Sequence, residues 1–203
     1  MTKPLKGISL LSDYGNIGRW FRIDCHCGDS GHQLQICIND PKKEDGYALE
    51  LFTNGISSSK ITMKQRIKYV IDMLRYGKYY VESDTLLDKE MAVNVYNSLA
   101  DAYIDVVSDG SPLPTETKEE FVLNDNGQYT KLIIDVEVGE MVGIFTEVVS
   151  DNDPYVTWKK RISMAWSMLT KGYYEVGIDL QLKPNDAIMF IQALSSLTTK
   201  LKT

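Results

Sequence analysis

The feature that most constrains this chain of 203 residues is an internal repeat. The segment MKQRIKYVIDMLRYGKYYVESDTLLDKEMAVNVYNSL, which begins at Met63, aligns without a gap with WKKRISMAWSMLTKGYYEVGIDLQLKPNDAIMFIQAL, which begins at Trp158. Identical residues recur at a constant offset of 95 positions, and Arg66 with Arg161 is one such pair. A repeat of this length predicts two units with the same fold, because the same apolar pattern buries the same face in each.

Apolar residues in the first part of each copy recur every three to four positions, as they do along one side of an amphipathic helix. In this pattern Trp158 and Trp166 take the places of Met63 and Ile71. We therefore expect the two tryptophans to be buried where Met63 and Ile71 are buried.

Each helical pattern ends at a glycine, Gly77 or Gly172, which is the residue preferred just after a helix C-terminus. Apolar and polar residues then alternate strictly from Tyr174 to Leu182, a pattern typical of a half-buried strand. A second amphipathic pattern closes both copies. The repeat therefore predicts a helix, a strand and a helix in that order.

The upstream part of each copy has the alternation of antiparallel strands. The predicted class is α+β, with two similar units that each form an antiparallel meander followed by helix, strand and helix. The units are predicted at 1–107 and 121–203, joined by a linker at 108–120 that is rich in Gly, Pro, Ser and charge. Copy one has about 16 extra residues, near 29–44, which we expect to form an added hairpin or loop.

Composition narrows the class of protein. No apolar run approaches the roughly 20 residues of a membrane span, and the start, MTKPLKGISLL, lacks the apolar core of a signal peptide. Three cysteines, an odd number, do not make a disulfide framework. We therefore expect a soluble protein of a reducing cytoplasm with no membrane partner.

The stretch CHCGDSGH contains two cysteines and two histidines, which raises the question of a metal site. FRIDCHCGD in copy one aligns with LIIDVEVGE in copy two, so valines replace Cys25 and Cys27 there. Because a small apolar residue satisfies those positions, we interpret the two cysteines as core residues and expect no metal and no cofactor. Spacing alone leaves open that Cys25, Cys27 and His32 converge around the turn, with Cys37 as a strained fourth ligand.

Catalytic motifs are absent from the sequence. Both histidines lie in one predicted hairpin, and there is no phosphate-binding loop, nucleophile elbow or zinc-protease helix. Two acidic pairs recur in both copies, Asp24 with Asp135 and Asp84 with Asp179. Such carboxylates can hold Mg²⁺ or transfer protons, but we interpret them as part of a solvated strand face or as a turn cap. We therefore expect a protein that is not an enzyme.

The net charge of -6 is unevenly distributed. Residues 60–78 carry six cations against one acid, and residues 158–171 carry four cations and no acid. A basic face that occurs twice is expected of a protein with a polyanionic partner. We expect phosphate contacts from eight of these residues: Lys64, Arg66, Lys68, Arg75, Lys159, Lys160, Arg161 and Lys171.

Aromatic residues near these clusters have the spacing of strand positions that face away from the core. Trp20, with Arg22 beside it, and Tyr80 and Tyr173 are predicted to stack on single-stranded bases.

The alternative for the basic clusters is that their cations only solvate a helix. Arg66 and Arg161 border the apolar stripe and fit that alternative, because a long arginine stem can cover core residues.

CHCGDSGHQLQICIND resembles the opening of a family of small bacteriophage proteins with a CxCG…HxL hairpin. In that family a segment of the type WKRI…G…helix follows, and both copies contain a counterpart of it, so the chain looks like a duplicated member. The resemblance implies a virus-encoded protein that acts in the host cytoplasm. A looser resemblance, in topology only, is to single-stranded-DNA-binding folds of the PC4, Whirly and Pur type.

These observations together favour a phage-encoded, non-catalytic protein that binds nucleic acid, above all single-stranded DNA, in phage replication or transcription. Phage or host replication and transcription proteins are further expected partners, and assembly into a homo-oligomer would lengthen the binding groove. The alternative function is a protein-binding module that captures or inhibits a host or phage enzyme through an acidic face or an exposed sheet edge.

Overall fold

A computed structural model describes most of the chain. The described residues are 5–29, 32–43, 46–57, 62–108, 110–113, 121–124, 129–137, 141–150 and 156–201. They form nine strands in one antiparallel sheet, together with four helices. The predicted α+β class is confirmed.

The first half of the chain contains four strands, a helix, a strand and a helix. These elements are β1 (Ile8–Asp13), β2 (Gly18–Ile23), β3 (Leu34–Asn39), β4 (Leu49–Ile56), α1 (Met63–Tyr76), β5 (Tyr79–Leu87) and α2 (Lys89–Val106).

The second half has one strand fewer among its described residues. Its elements are β6 (Phe121–Asn124), β7 (Tyr129–Glu137), β8 (Met141–Ser150), α3 (Trp158–Lys171), β9 (Glu175–Leu182) and α4 (Pro184–Lys200). Both halves end in helix, strand and helix, as the sequence predicts. Most of the predicted linker at 108–120 lies outside the described residues.

The two halves exchange a strand. β9, from the second half, pairs with β4 along the whole of both strands, and β5, from the first half, pairs in the same way with β8. By contrast, β4 and β5 share only the pair Ile56 and Glu82. Each half therefore supplies the strand that completes the meander of the other.

The pairing also shows which meander strands occupy equivalent places. β3 pairs with β4, with Leu34 opposite Thr53, and β7 pairs with β8, with Leu132 opposite Thr146. The sequences FTNGIS in β4 and FTEVVS in β8 mark the two threonines as counterparts. β7 therefore takes the place of β3. The alignment of FRIDCHCGD with LIIDVEVGE, which equates β7 with β2, is wrong. The extra residues near 29–44 contain an internal strand of the sheet.

The helices cover one face of the sheet in two pairs. α2 and α4 pack over the larger core, where Leu99, Tyr103 and Phe190 are fully or almost fully buried. α1 and α3 pack over a smaller cluster that includes Met73 and Met168. The opposite face of the sheet carries half-buried and exposed side chains. Among the described residues no helix is long and apolar enough to cross a membrane.

Local signals end the helices where the sequence predicts. Thr62 accepts a hydrogen bond from the Gln65 backbone N–H and forms a capping box with it at the start of α1. Gly77 and Gly172 follow α1 and α3 with left-handed backbones, at φ of 66° and 89°, a conformation that a side chain would strain. The strict alternation of buried and exposed residues in β9 is confirmed.

Candidate functional site

The two basic helices, α1 and α3, lie against each other. The two helices touch and share one buried cluster, to which α1 contributes Met73 and the partly buried Val70 and Leu74, and α3 contributes Met164 and Met168. The two segments in which the sequence predicts a polyanion-binding face therefore form one helical surface, and we refer to it as the α1–α3 surface.

Arg66 on α1 and Arg161 on α3 connect the two helices, because each side chain lies against the C-terminal end of the other helix. A Cβ on Gly77 would lie 2.7 Å from Nη1 of Arg161, and a Cβ on Gly172 would collide with the guanidinium of Arg66. Each arginine thus covers the C-terminal glycine of the opposite helix, where the helix dipole favours a positive charge. Arg161 also donates from Nε to the carbonyl of Val156, at 3.2 Å. Both side chains are half-buried, so their geometry agrees with a packing role.

The other predicted phosphate contacts are solvent-exposed cations. On α1 Lys64 and Lys68 lie one position after Met63 and Ile67, on the adjoining strip of the helix. No ion pair with a described residue is seen for any of the exposed cations of the two helices. They are Lys64, Lys68, Arg75, Lys159, Lys160 and Lys171. Lys60, at the start of the first basic segment, lies outside the described residues.

The expected burial of Trp158 and Trp166 is wrong. They are 57% and 68% exposed, and their counterparts Met63 and Ile71 are 59% and 51% exposed. Ile71 and Trp166 lie to one side of the strip of side chains along which α1 and α3 touch the protein, whereas Met63 and Trp158 are the first residues of their helices. The α1–α3 surface therefore combines exposed apolar side chains with lysines.

Trp20 and Arg22 project from the opposite face of the sheet to the one that the helices cover. Both are on β2, whose alternate residues Phe21 and Ile23 face the core, so they project from the sheet face that carries no helix. The Trp20 ring packs near Phe52, with centroids 6.0 Å apart, and Arg22 pairs with Asp24 at 3.1 Å.

Tyr80 lies on the same helix-free face, among carboxylates. Its hydroxyl donates to Glu82 at 2.9 Å and approaches Glu147 at 3.4 Å. Burial, followed by these acidic neighbours, raises the pKa of Tyr80 far above its usual range.

Tyr173 lies just after α3 and is half-buried, and its carbonyl accepts a hydrogen bond from Ser167. Tyr80 and Tyr173 thus each lie close to the C-terminal end of a basic helix, Tyr80 after α1 and Tyr173 after α3.

A separate group of side chains forms in the connection between β2 and β3. The Cys25 and Cys27 sulfurs are 3.0 Å apart, and the Cys27 sulfur is 3.4 Å from His32 Nδ1. These three atoms all lie within 4.8 Å of one another. Cys37 is elsewhere, on β3, and its thiol donates to Asn39.

Cys25 and Val136 occupy different places in the sheet, so the valine does not indicate what the Cys25 position requires. Val136 is on β7 and pairs with Val142, whereas Cys25 follows the end of β2 in a turn. Val138, aligned with Cys27, lies outside the described residues. Burial and the hydrogen bond with Cys27 raise the pKa of the Cys25 thiol above its ordinary value. The chain turns at Gly28, whose φ is 75°, and this turn brings the two thiols to the same place.

Comparison with models of protein families, with curated proteins and with solved structures finds no match to this chain.

Proposed function

We propose that the chain is a non-catalytic protein that binds single-stranded DNA on the α1–α3 surface. The observation that carries this proposal is the exposure of Trp158 and Trp166 beside Lys159 and Lys160. Indole rings next to lysines are the combination that single-stranded nucleic acid uses, because bases stack on the rings while cations contact the phosphates.

The proposal changes the residues expected to stack. Trp158 and Trp166 replace Trp20 and Tyr80, because the latter two project from the face without helices. Phosphate contacts are assigned to the exposed cations of the surface, while Arg66 and Arg161 serve to hold α1 and α3 together. Following the phage resemblance, such a protein would act in the host cytoplasm during phage replication or transcription.

A second candidate function is the capture of another protein on the same surface. Met63, Ile67 and Ile71 support it, since these aliphatic side chains are about half exposed and offer no ring for a base. Exposed apolar residues that are bordered by lysines match an amphipathic helix with acidic flanks.

Fluorescence anisotropy with a labelled oligothymidylate at low salt would test the first proposal. We expect Trp166→Ala and Trp158→Ala each to weaken binding by about 1–3 kcal/mol, the typical loss of one base stack. Because both rings are exposed, neither change should alter the unfolding transition. Tyr14→Ala is the matched control, since Tyr14 is 56% exposed in the turn after β1 and should leave affinity unchanged.

Intrinsic fluorescence gives an independent readout. The chain has three tryptophans, so Trp158→Phe with Trp166→Phe leaves only Trp20. Oligonucleotide binding should quench the wild-type emission but not that of the double variant. Equal quenching in both proteins would contradict the assignment. If no oligonucleotide binds and an acidic amphipathic peptide binds in a manner that Ile67→Asp abolishes, the second candidate is favoured.

A further inference from the structure

We propose that Cys25, Cys27 and His32 bind one zinc ion, with the fourth coordination position open to water. The site departs from the sequence-based expectation of no metal, and it is independent of the proposed DNA binding, since it lies in the connection between β2 and β3. Two thiolates and an imidazole form a donor set that suits zinc.

The spacing of the three donor atoms fits a tetrahedral ion. Zinc–sulfur bonds of about 2.3 Å and zinc–nitrogen bonds of about 2.0 Å set neighbouring ligand atoms roughly 3.5–3.8 Å apart. The distance from the Cys27 sulfur to His32 Nδ1, 3.4 Å, is close to this range, and the 3.0 Å between the two sulfurs is about 0.8 Å shorter than a tetrahedral zinc sets. Small side-chain rotations that move the donors apart would admit the ion.

Backbone N–H groups already point at both sulfurs. The Leu86 N–H donates to Cys25 Sγ at 3.4 Å, and the Asp29 N–H donates to Cys27 Sγ at 3.4 Å. Hydrogen bonds of this kind stabilise thiolate ligands and fix their direction around a metal. Their presence indicates that the turn is arranged around the sulfurs and not only around a small apolar volume.

The charges of the site balance. Zinc binding would displace the two thiol protons to solvent, and the resulting pair of thiolates would neutralise the double charge of the ion. His32 would bind as the neutral imidazole through Nδ1. Asp84 Oδ1 is 4.0 Å from that nitrogen, so a partly exposed carboxylate adds negative charge close to the site. Burial of Cys25 beside an exposed Cys27 leaves a path for the ion to enter.

The position of the site gives it a structural role. Besides the Cys25 contact, the His26 N–H donates to the Leu86 carbonyl at 2.7 Å, and Thr85 donates to the His32 carbonyl at 2.9 Å. The turn is thus attached to β5, the strand that completes the sheet of the second half. A zinc ion would fix the conformation of this turn and, through the turn, its hydrogen bonds with β5.

The proposal is tested by zinc analysis of the full chain. Reduced protein would be incubated with zinc chloride, dialysed against chelator-free buffer and measured by mass spectrometry for metal. We expect about one zinc per chain, and a raised unfolding temperature that EDTA reverses. Cobalt(II) in place of zinc should give a thiolate charge-transfer absorption, which reports directly on sulfur ligands.

Variants assign the ligands. Cys27→Ser should lose the zinc, as should Cys25→Val combined with Cys27→Val, which keeps the side-chain volumes nearly constant. Cys37→Ala is the matched control and should retain it. Circular dichroism of the metal-free proteins checks that each variant is folded. Wild-type protein that holds well below one zinc per chain would overturn the proposal, and so would a valine double variant that binds as much zinc as wild type.

Discussion

Replacement of Gly172 by alanine perturbs the contact that joins α1 to α3. Gly172 has φ of 89° and follows α3 directly, and an added Cβ would enter the space of the Arg66 guanidinium. The variant therefore combines two effects, a strained left-handed backbone and the displacement of a cation from a helix C-terminus. Gly110→Ala is the matched control, because Gly110 has φ of 85° and, its chain neighbours aside, no atom of a described residue lies within 4 Å of its would-be Cβ.

The two effects differ in size. A left-handed conformation costs an L-residue about 1–2 kcal/mol, and this cost should be the whole effect of Gly110→Ala. Loss of the favourable position of Arg66 adds about 0.3–1 kcal/mol in Gly172→Ala, before any cost of repacking. We therefore expect a total loss of about 2 kcal/mol in the free energy of unfolding at Gly172.

Urea denaturation measures this difference. With m-values of about 1–3 kcal/mol/M, a loss of about 2 kcal/mol lowers the midpoint by about 1 M. In an Arg66→Ala background, Gly172→Ala should cost only as much as the control, since the displaced group is gone. If Gly172→Ala costs the same with and without Arg66, the two groups are not coupled and the reasoning fails.

Two further predictions concern contacts that join distant elements. Tyr174→Phe should lower the free energy of unfolding, measured in urea, by about 1–3 kcal/mol. The reason is that the Tyr174 hydroxyl donates to the Tyr80 carbonyl at 3.0 Å and accepts from the Tyr80 N–H at 3.1 Å. A loss no greater than that of Tyr173→Phe would contradict this. The second prediction is a pH dependence at Asp88. Burial alone would raise the pKa of this carboxyl, but the hydrogen bonds from Lys6, the Met91 N–H and His26 together lower the pKa below its ordinary value of 3.8. This contribution to stability is therefore present above about pH 4 and lost as the pH falls through the folded pKa. Asp88→Asn keeps the helix cap and should remove that part of the acid destabilisation, which urea midpoints at about pH 6 and about pH 2.5 would measure; an identical acid dependence in the variant would argue against it.

Some parts of the fold could be predicted because the signal is local. The glycines that end α1 and α3 and the alternation along β9 depend on neighbouring residues alone. The strand exchange could not be predicted in this way, because alternation tells which face of a strand is buried but not which strand lies beside it. The sequence did contain a clue, because FTNGIS and FTEVVS mark β4 and β8 as equivalent strands. The strand before β8, which is β7, should therefore be aligned with β3 and not with β2.

The error at Trp158 and Trp166 has a related cause. Helical spacing identifies an apolar arc, but the width of the arc that is buried depends on the partner helix. The arc of α1 runs from Met73 through Leu74 to Ile71, which is wider than one helix contact covers. An arc that exceeds the contact leaves exposed apolar residues, and those are signs of a binding surface.

The salt dependence of oligonucleotide binding tests the central claim most directly. Each phosphate contact on a single strand contributes about -0.7 to the slope of log K against log salt. Contacts from the six exposed cations of the α1–α3 surface therefore predict a slope of about -4 for the wild-type protein, and Lys64→Gln with Lys68→Gln should reduce its magnitude by about 1.4. Absence of binding at low salt, or a slope that the lysine variants leave unchanged, would contradict a nucleic-acid-binding role for the α1–α3 surface.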